Sequence, residues 1–125
     1  MSNCDVCIGG WDEDAPEIYL AQVVTARKEH QCYECHKTIK SGERYETVSG
    51  RWDGEFNRFT FCLFCSEVST VFSCGKGRMF GILWEEMRDL AFPNLTTNSP
   101  CFRELSVPSR IALIAKWQEW KGLIP

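Results

Sequence analysis

The chain lacks any apolar run approaching the roughly 18–20 residues needed to cross a bilayer, which argues against a membrane-spanning helix. Its opening residues, Met-Ser-Asn-Cys-Asp, have neither the basic start nor the apolar stretch of a secretion signal, so a cytoplasmic protein is expected. No linker rich in Gly, Ser or Pro interrupts it, and residues 1–125 are expected to form one domain. Positive charge is also short: 14 Lys and Arg face 17 Asp and Glu, a net charge of −3. Domains that grip nucleic acid mainly through phosphates usually have a pI above about 9, against 5.4 here. Histidine is scarce, with only His30 and His36. Neither the His-Glu-x-x-His of zinc hydrolases nor the zinc-deaminase signature is present. Gly-x-Ser-x-Gly and the phosphate-binding Gly-x-x-x-x-Gly-Lys-[Ser/Thr] loop are missing too. No catalytic residues and no small-molecule substrate are expected.

What the chain has is cysteine. Eight occur in 125 residues, within a composition (44% hydrophobic, 13% aromatic) that suits a folded domain. In a reducing compartment, metal ligation is the expected use and disulfides the less expected one. Three Cys-x-x-Cys pairs, Cys4/Cys7, Cys32/Cys35 and Cys62/Cys65, precede two single residues, Cys74 and Cys101.

Between these markers the periodicity changes twice. Residues 18–25 are rich in β-branched and aromatic types and predict a strand. Residues 43–49 and 56–61 predict two more, with Asp53-Gly54 marking a hairpin turn. Phe64, Val68, Val71 and Phe72 then fall on one helical stripe that Cys74-Gly75-Lys76-Gly77 ends. A second helix is predicted over about 78–91, with Met79, Leu83, Met87 and Leu90 aligned and Phe92-Pro93 stopping it. A third runs over about 107–121, capped by Ser106 or Ser109, burying Leu113, Ile114, Trp117, Trp120 and Ile124. The fold class is therefore α+β. An acidic segment with a strand occupies 1–25, a cysteine-bounded hairpin and helix 26–73, and a helical part 74–125.

Two Cys-x-x-Cys pairs supply the four tetrahedral ligands of structural zinc, because two intervening residues let the chain turn both sulfurs toward one ion. Cys32/Cys35 and Cys62/Cys65 are separated by 26 residues that read as a hairpin, and the second pair opens a helix whose N-terminus favours thiolate. The stretches Cys32-Tyr-Glu-Cys35-His-Lys-Thr-Ile-Lys-Ser-Gly42-Glu-Arg-Tyr45 and Phe61-Cys62-Leu-Phe-Cys65 resemble the treble-clef class of zinc fingers. The resemblance spans about residues 27–73 and implies a zinc-centred knuckle, hairpin and helix. It implies little about activity, since the class includes nucleic-acid binders, protein-interaction modules and nucleases. Treble-clef nucleases carry a catalytic histidine in or at the end of the hairpin, and residues 43–61 contain none. Ala26-Arg-Lys-Glu-His30-Gln-Cys32, with the hairpin and Cys62-x-x-Cys65, is also similar to small proteins of phages and prophages. For a phage-encoded protein the compartment would be the host cytoplasm.

Cys4, Cys7, Cys74 and Cys101 are expected to form a second zinc site that uses every remaining cysteine once. Alternatives are that Cys74 or Cys101 is a small buried residue, or that His30 or His36 joins Cys4 and Cys7. Ser99-Pro100 can also start a helical turn that makes Cys101 a nucleophile, with only His30 or His36 available as base.

The charge is uneven: the first twenty residues hold five carboxylates and no cation, leaving the rest at +2. Trp11-Asp12-Glu13-Asp14 is a candidate contact for a basic protein surface, and Trp52, Arg51 and Arg58 mark the hairpin as a second contact region. A protein partner is the leading expectation. The alternative is nucleic acid held by Arg27, Lys28, Lys37, Lys40, Arg44, Arg51 and Arg58, interleaved with Tyr33, Tyr45, Trp52 and Phe56.

Overall fold

The computed structural model describes residues 6–8, 18–74, 78 and 80–123. Its architecture is α+β. Strand β1 (Ile18–Thr25) pairs antiparallel with β4 (Arg44–Trp52), which pairs antiparallel with β5 (Glu55–Cys62), in the order β1-β4-β5. Two short strands, β2 (His30–Gln31) and β3 (Thr38–Ile39), form a separate ribbon. Helix α1 (Leu63–Phe72) follows β5 directly. Next come α2 (Leu83–Glu86), which continues as a π-helical turn over Met87–Ala91, then α3 (Pro100–Glu104) and α4 (Val107–Leu123). Among the described residues no helix is long and apolar enough to cross a membrane.

The β4–β5 hairpin is longer than the sequence pattern predicts. Trp52 and Glu55 still pair, so the turn shrinks to Asp53-Gly54. Both turn residues have positive φ, 50° and 82°, the backbone a two-residue hairpin turn requires and the reason glycine fits its second position. Strand alternation gives the sheet two faces. Val48, Phe59 and Phe61 lie on one, where α1 and the segment around Phe80 cover them; Ile18, Leu20, Phe56 and Arg58 lie on the other. Val48, Phe61, Val68, Phe72, Leu83, Met87, Leu105 and Leu113 are fully buried and knit sheet to helices. Each such side chain contributes about 1.5–3 kcal/mol by leaving water.

Two helices depart from expectation. The second begins at Leu83 rather than 78, because Arg78 is spent on a tertiary ion pair with Glu46. Its Nη1 donates to the two carboxylate oxygens at 2.7 and 2.9 Å and its Nε to Ser69 Oγ at 3.0 Å, while the guanidinium lies 4.9 Å from the Phe61 ring centre. Leu90, predicted on the buried stripe, is exposed. The wider π turn rotates it outward, and Phe92 N–H reaches back to Met87 O at 2.7 Å. Met79 and Ile124 of the predicted stripes lie outside the described residues. Helix α3 extends the Ser99-Pro100 start, with Pro100 where a missing N–H costs nothing.

Candidate metal centre

Cys32, Cys35, Cys62 and Cys65 converge, with all four sulfurs within 4.8 Å of one another. Each half of the centre has a local cause. In the knuckle, His36 N–H donates to Cys32 O at 2.9 Å and Cys32 N–H to Lys37 O at 2.9 Å. This tight turn puts His36 in the left-handed region at φ 63°. Tyr33 N–H then donates to Thr60 O at 2.8 Å, fastening the knuckle to β5. In the other half, Cys62 is the N-cap of α1, its Sγ accepting from Cys65 N–H at 3.5 Å. A ligand serves as the cap, so both Cys62 and Cys65 sit at the positive end of the helix.

Glu34, between the two knuckle cysteines, is buried and accepts hydrogen bonds from Gly81 and Leu83 N–H at 3.0 and 3.1 Å, docking the start of α2 onto the knuckle. Burial raises its pKa despite those two bonds, and the neighbouring Cys32 sulfur pushes the same way.

The four thiols share their protons unequally. Cys32 is driven strongly toward thiolate because hydrogen bonding with the neighbouring Cys35, Cys62 and Cys65 favours its charged form. For Cys35, Cys32 opposes ionisation, but Cys62 and Cys65 favour it and bring it down to about 6. Cys62 and Cys65 are pushed up in turn, Cys32 being the largest influence on each. Four sulfurs this close form an acceptor set that a divalent cation would satisfy in place of protons. Cys35 Sγ and Cys62 Sγ are 3.9 Å apart, close to the edge of about 3.8 Å for a tetrahedron with bonds of about 2.3 Å to zinc. Cys32 and Cys65 are fully buried. Cys35 and Cys62 are half-buried and face a cleft of about 570 Å³ also lined by Lys37, Arg44 and Lys116. Those three cations outnumber the one carboxylate in the same lining, Glu43, and oppose the net negative charge that four thiolates leave on a divalent ion.

Neither histidine joins the cluster. His30 stacks on Tyr45 with ring centres 4.7 Å apart and shares a 3.2 Å hydrogen bond with its hydroxyl. His36 is an exposed turn residue.

The expected second site takes a different form. Cys7 and Cys74 are joined by a disulfide, and Cys101 is disulfide-bonded as well, so in this state their sulfurs are not free thiolates. The expectation that disulfides would be avoided is thus corrected for these cysteines: long-range folding brings Cys7 against the end of α1, 67 residues away in sequence. The nucleophile reading of Cys101 falls with it, the residue being fully buried and bonded. Cys4 and the acidic contact Trp11, Asp12, Glu13 and Asp14 lie outside the described residues.

The hairpin residues separate. Trp52 is on the buried face, half-buried with its ring folded over Gly50 and set edge-on to Phe59 and Phe80 at 5.9 and 5.8 Å. It packs against the core from this position while staying half-buried. Any Cβ at position 50 would collide with that ring. Arg51 lies on the opposite face, 5.9 Å from the Phe56 ring centre, and Arg58 is exposed nearby. The seven cations of the nucleic-acid reading are also divided. Arg27, Lys28 and Arg58 line a cleft of about 1000 Å³ with His30 and Tyr45, whereas Lys37 and Arg44 belong to the cleft at the metal centre. Two residues that sequence reasoning missed are Glu34 and Arg78. The run Cys-Tyr-Glu-Cys offered a weak signal for the first, while the partner of Arg78 is 32 residues away. No family model matches the chain, nor does any curated protein or solved structure.

Proposed function

We propose that the chain is a non-catalytic zinc-binding module of treble-clef type whose metal stiffens a sheet for docking onto another protein. The observation that carries this reading is the closed cluster of four cysteine sulfurs. With all four positions of a tetrahedral ion taken by cysteine, no coordination site remains for a hydrolytic water or a substrate. Zinc suits the donor set because it is redox-inert and has no geometric preference of its own against a tetrahedron of thiolates.

The docking surface is the outer face of the sheet. Ile18, Arg51 and Phe56 align across the three strands, with Leu20 and Arg58 in the next row. Ile18, Leu20 and Phe56 are 51%, 56% and 68% exposed. Large apolar side chains flanked by two arginines suit a protein partner with an apolar patch rimmed by carboxylates. The proposed role is that of a phage- or prophage-type accessory protein that docks on or inhibits a larger host or phage complex.

The test is to isolate a partner on the wild-type chain, purify it, and titrate it against a Leu20→Ala/Phe56→Ala variant. Affinity should fall at least about tenfold, or 1.4 kcal/mol, with zinc content and Tm unchanged. Undiminished affinity overturns this surface.

A second reading rests on the Arg27/Lys28/Arg58 cleft, which contains no carboxylate among its described lining residues. Single-stranded nucleic acid would set phosphates on these cations. A mobility-shift salt series decides: binding with a steep salt slope that Arg27→Ala/Arg58→Ala abolishes supports it, and none at about 50 mM salt sinks it.

A further inference from the structure

A second concentration of sulfur sits at the far end of α1. Ile8 N–H donates to Phe72 O at 2.9 Å and so hangs the stretch 6–8 on the last turn of that helix. Val6 and Ile8 are both buried there, with Cys7 between them. Cys74 follows the helix at φ 54°, a left-handed position that turns the chain back on itself. Cys101 comes from the first turn of α3 and is fully buried. Cys74 Sγ is bonded to Cys7 and lies 3.8 Å from Cys101 Sγ.

That spacing matches the tetrahedral zinc–thiolate edge of about 3.8 Å. It also nearly equals the 3.9 Å between Cys35 and Cys62 in the first centre, across the same separation of 27 residues. Three cysteine side chains from three separate segments therefore already converge. Cys4, by its Cys-x-x-Cys spacing with Cys7, is the fourth ligand the sequence offers.

We propose that, once reduced, Cys7, Cys74 and Cys101, completed by Cys4, hold a second zinc ion, so that this end of the molecule carries either disulfides or a metal. In the forward direction each disulfide accepts two electrons and two protons from one dithiol molecule, which closes to its own disulfide. The four thiols then release four protons to solvent as they take up Zn²⁺, whose oxidation state does not change. In reverse, exchange with a small-molecule disulfide removes two electrons per bond and expels the ion. Both states tie Cys7 to the end of α1, and they differ in charge: neutral disulfides in one, a four-thiolate zinc of net charge −2 in the other. The idea rests on the same thiolate chemistry as the first centre, but not on that centre being filled.

The test is zinc content per chain, by elemental analysis together with native mass. The full-length protein is prepared with zinc under a dithiol and desalted anaerobically, and a matched sample is then oxidised with a small-molecule disulfide. Two zincs in the reduced protein and one in the oxidised protein are expected, with one in reduced Cys74→Ser and reduced Cys101→Ser. A single zinc in the reduced wild type, absent from Cys65→Ser, overturns the second site and leaves the first intact. No zinc in any sample overturns both. Two zincs in the oxidised protein, or two in Cys74→Ser, overturn the assignment. Cobalt(II) keeps the test independent of activity: charge-transfer absorption per chain should double on reduction in the wild type and stay single in the variants.

Discussion

The two sulfur clusters of this molecule invite comparison. Each contains a pair of cysteines 27 residues apart with sulfurs just under 4 Å from one another, yet Cys32, Cys35, Cys62 and Cys65 are free thiols while Cys7, Cys74 and Cys101 are oxidised. The difference lies in the scaffold. The first set is held by a hydrogen-bonded knuckle, by β5 and by the capped start of a ten-residue helix, which keep the sulfurs apart at metal-binding spacing. The second set comes from a stretch whose described anchor is the Ile8–Phe72 backbone hydrogen bond, a residue just past a helix end, and a five-residue helix. There Cys7 and Cys74 approach closely enough to bond. Spacing in sequence brings cysteines together; the rigidity of what carries them decides their chemistry.

The comparison can be broken most sharply at the ligands. Cys65→Ser should lose the metal and with it cooperative folding of the knuckle and hairpin, because structural zinc contributes about 10–16 kcal/mol, comparable with the whole stability of a domain, about 5–15 kcal/mol. Cys74→Ser, measured without reductant, should cost about 2–5 kcal/mol by loss of its disulfide and remain folded with the first zinc in place. Thermal melts followed by circular dichroism, paired with zinc analysis, check both. If the two variants suffer equally, the claimed asymmetry is false.

Next in size is the buried ion pair behind the sheet. Arg78→Met leaves Glu46 buried without its cation and should cost about 3–5 kcal/mol in urea denaturation. Arg78→Met/Glu46→Leu should recover much of that loss. A non-recovering double variant would mean that Arg78 acts through its packing on Phe61 and Phe80 instead of through charge.

A smaller effect sharpens the view of α1 as the shared support of both clusters. Glu67, on α1, accepts from Ser106 N–H at 2.6 Å, from Ser106 Oγ at 2.7 Å and from Ser109 Oγ, binding α1 to the start of α4. Burial alone would raise its pKa, but these bonds and Arg110 outweigh it and hold the carboxyl below the usual range. Its contribution is therefore complete above the ordinary glutamate pKa of about 4.3 and fades as pH falls through the lower folded-state value. Glu67→Gln should cost about 1 kcal/mol at neutral pH, on the scale of a lost helix cap. The gap between variant and wild type should narrow toward acid, as read from denaturation midpoints. A gap that widens instead contradicts the assigned direction.

The smallest expected effect is at Arg58. Exposed and remote from both clusters, it should change stability by no more than about 0.5 kcal/mol on substitution by alanine. A larger loss in urea denaturation would move Arg58 from the docking surface into the structural account.

Much of the first centre was legible because its causes are local. The Cys-x-x-Cys spacing sets the knuckle, Asp53-Gly54 sets the hairpin turn, and the stripe Phe64, Val68, Val71, Phe72 sets the helix that carries Cys62 and Cys65. Strand β1 was likewise written in its β-branched run, and α4 in the run that buries Leu113. In each case the determining interactions lie within one turn, one hairpin or one helix face, so periodicity and residue type carry them.

Only the tertiary structure decided the rest. Arg78 left a predicted helix because a carboxylate 32 residues earlier was buried beside it. Trp52 turned inward because Gly50 left room for its ring and Phe59 and Phe80 offered an apolar wall. Cys7 met Cys74 across 67 residues. A long-range encounter leaves no period in the sequence; it exists only once helices and sheet have packed, and it is there that the second cluster acquired its chemistry.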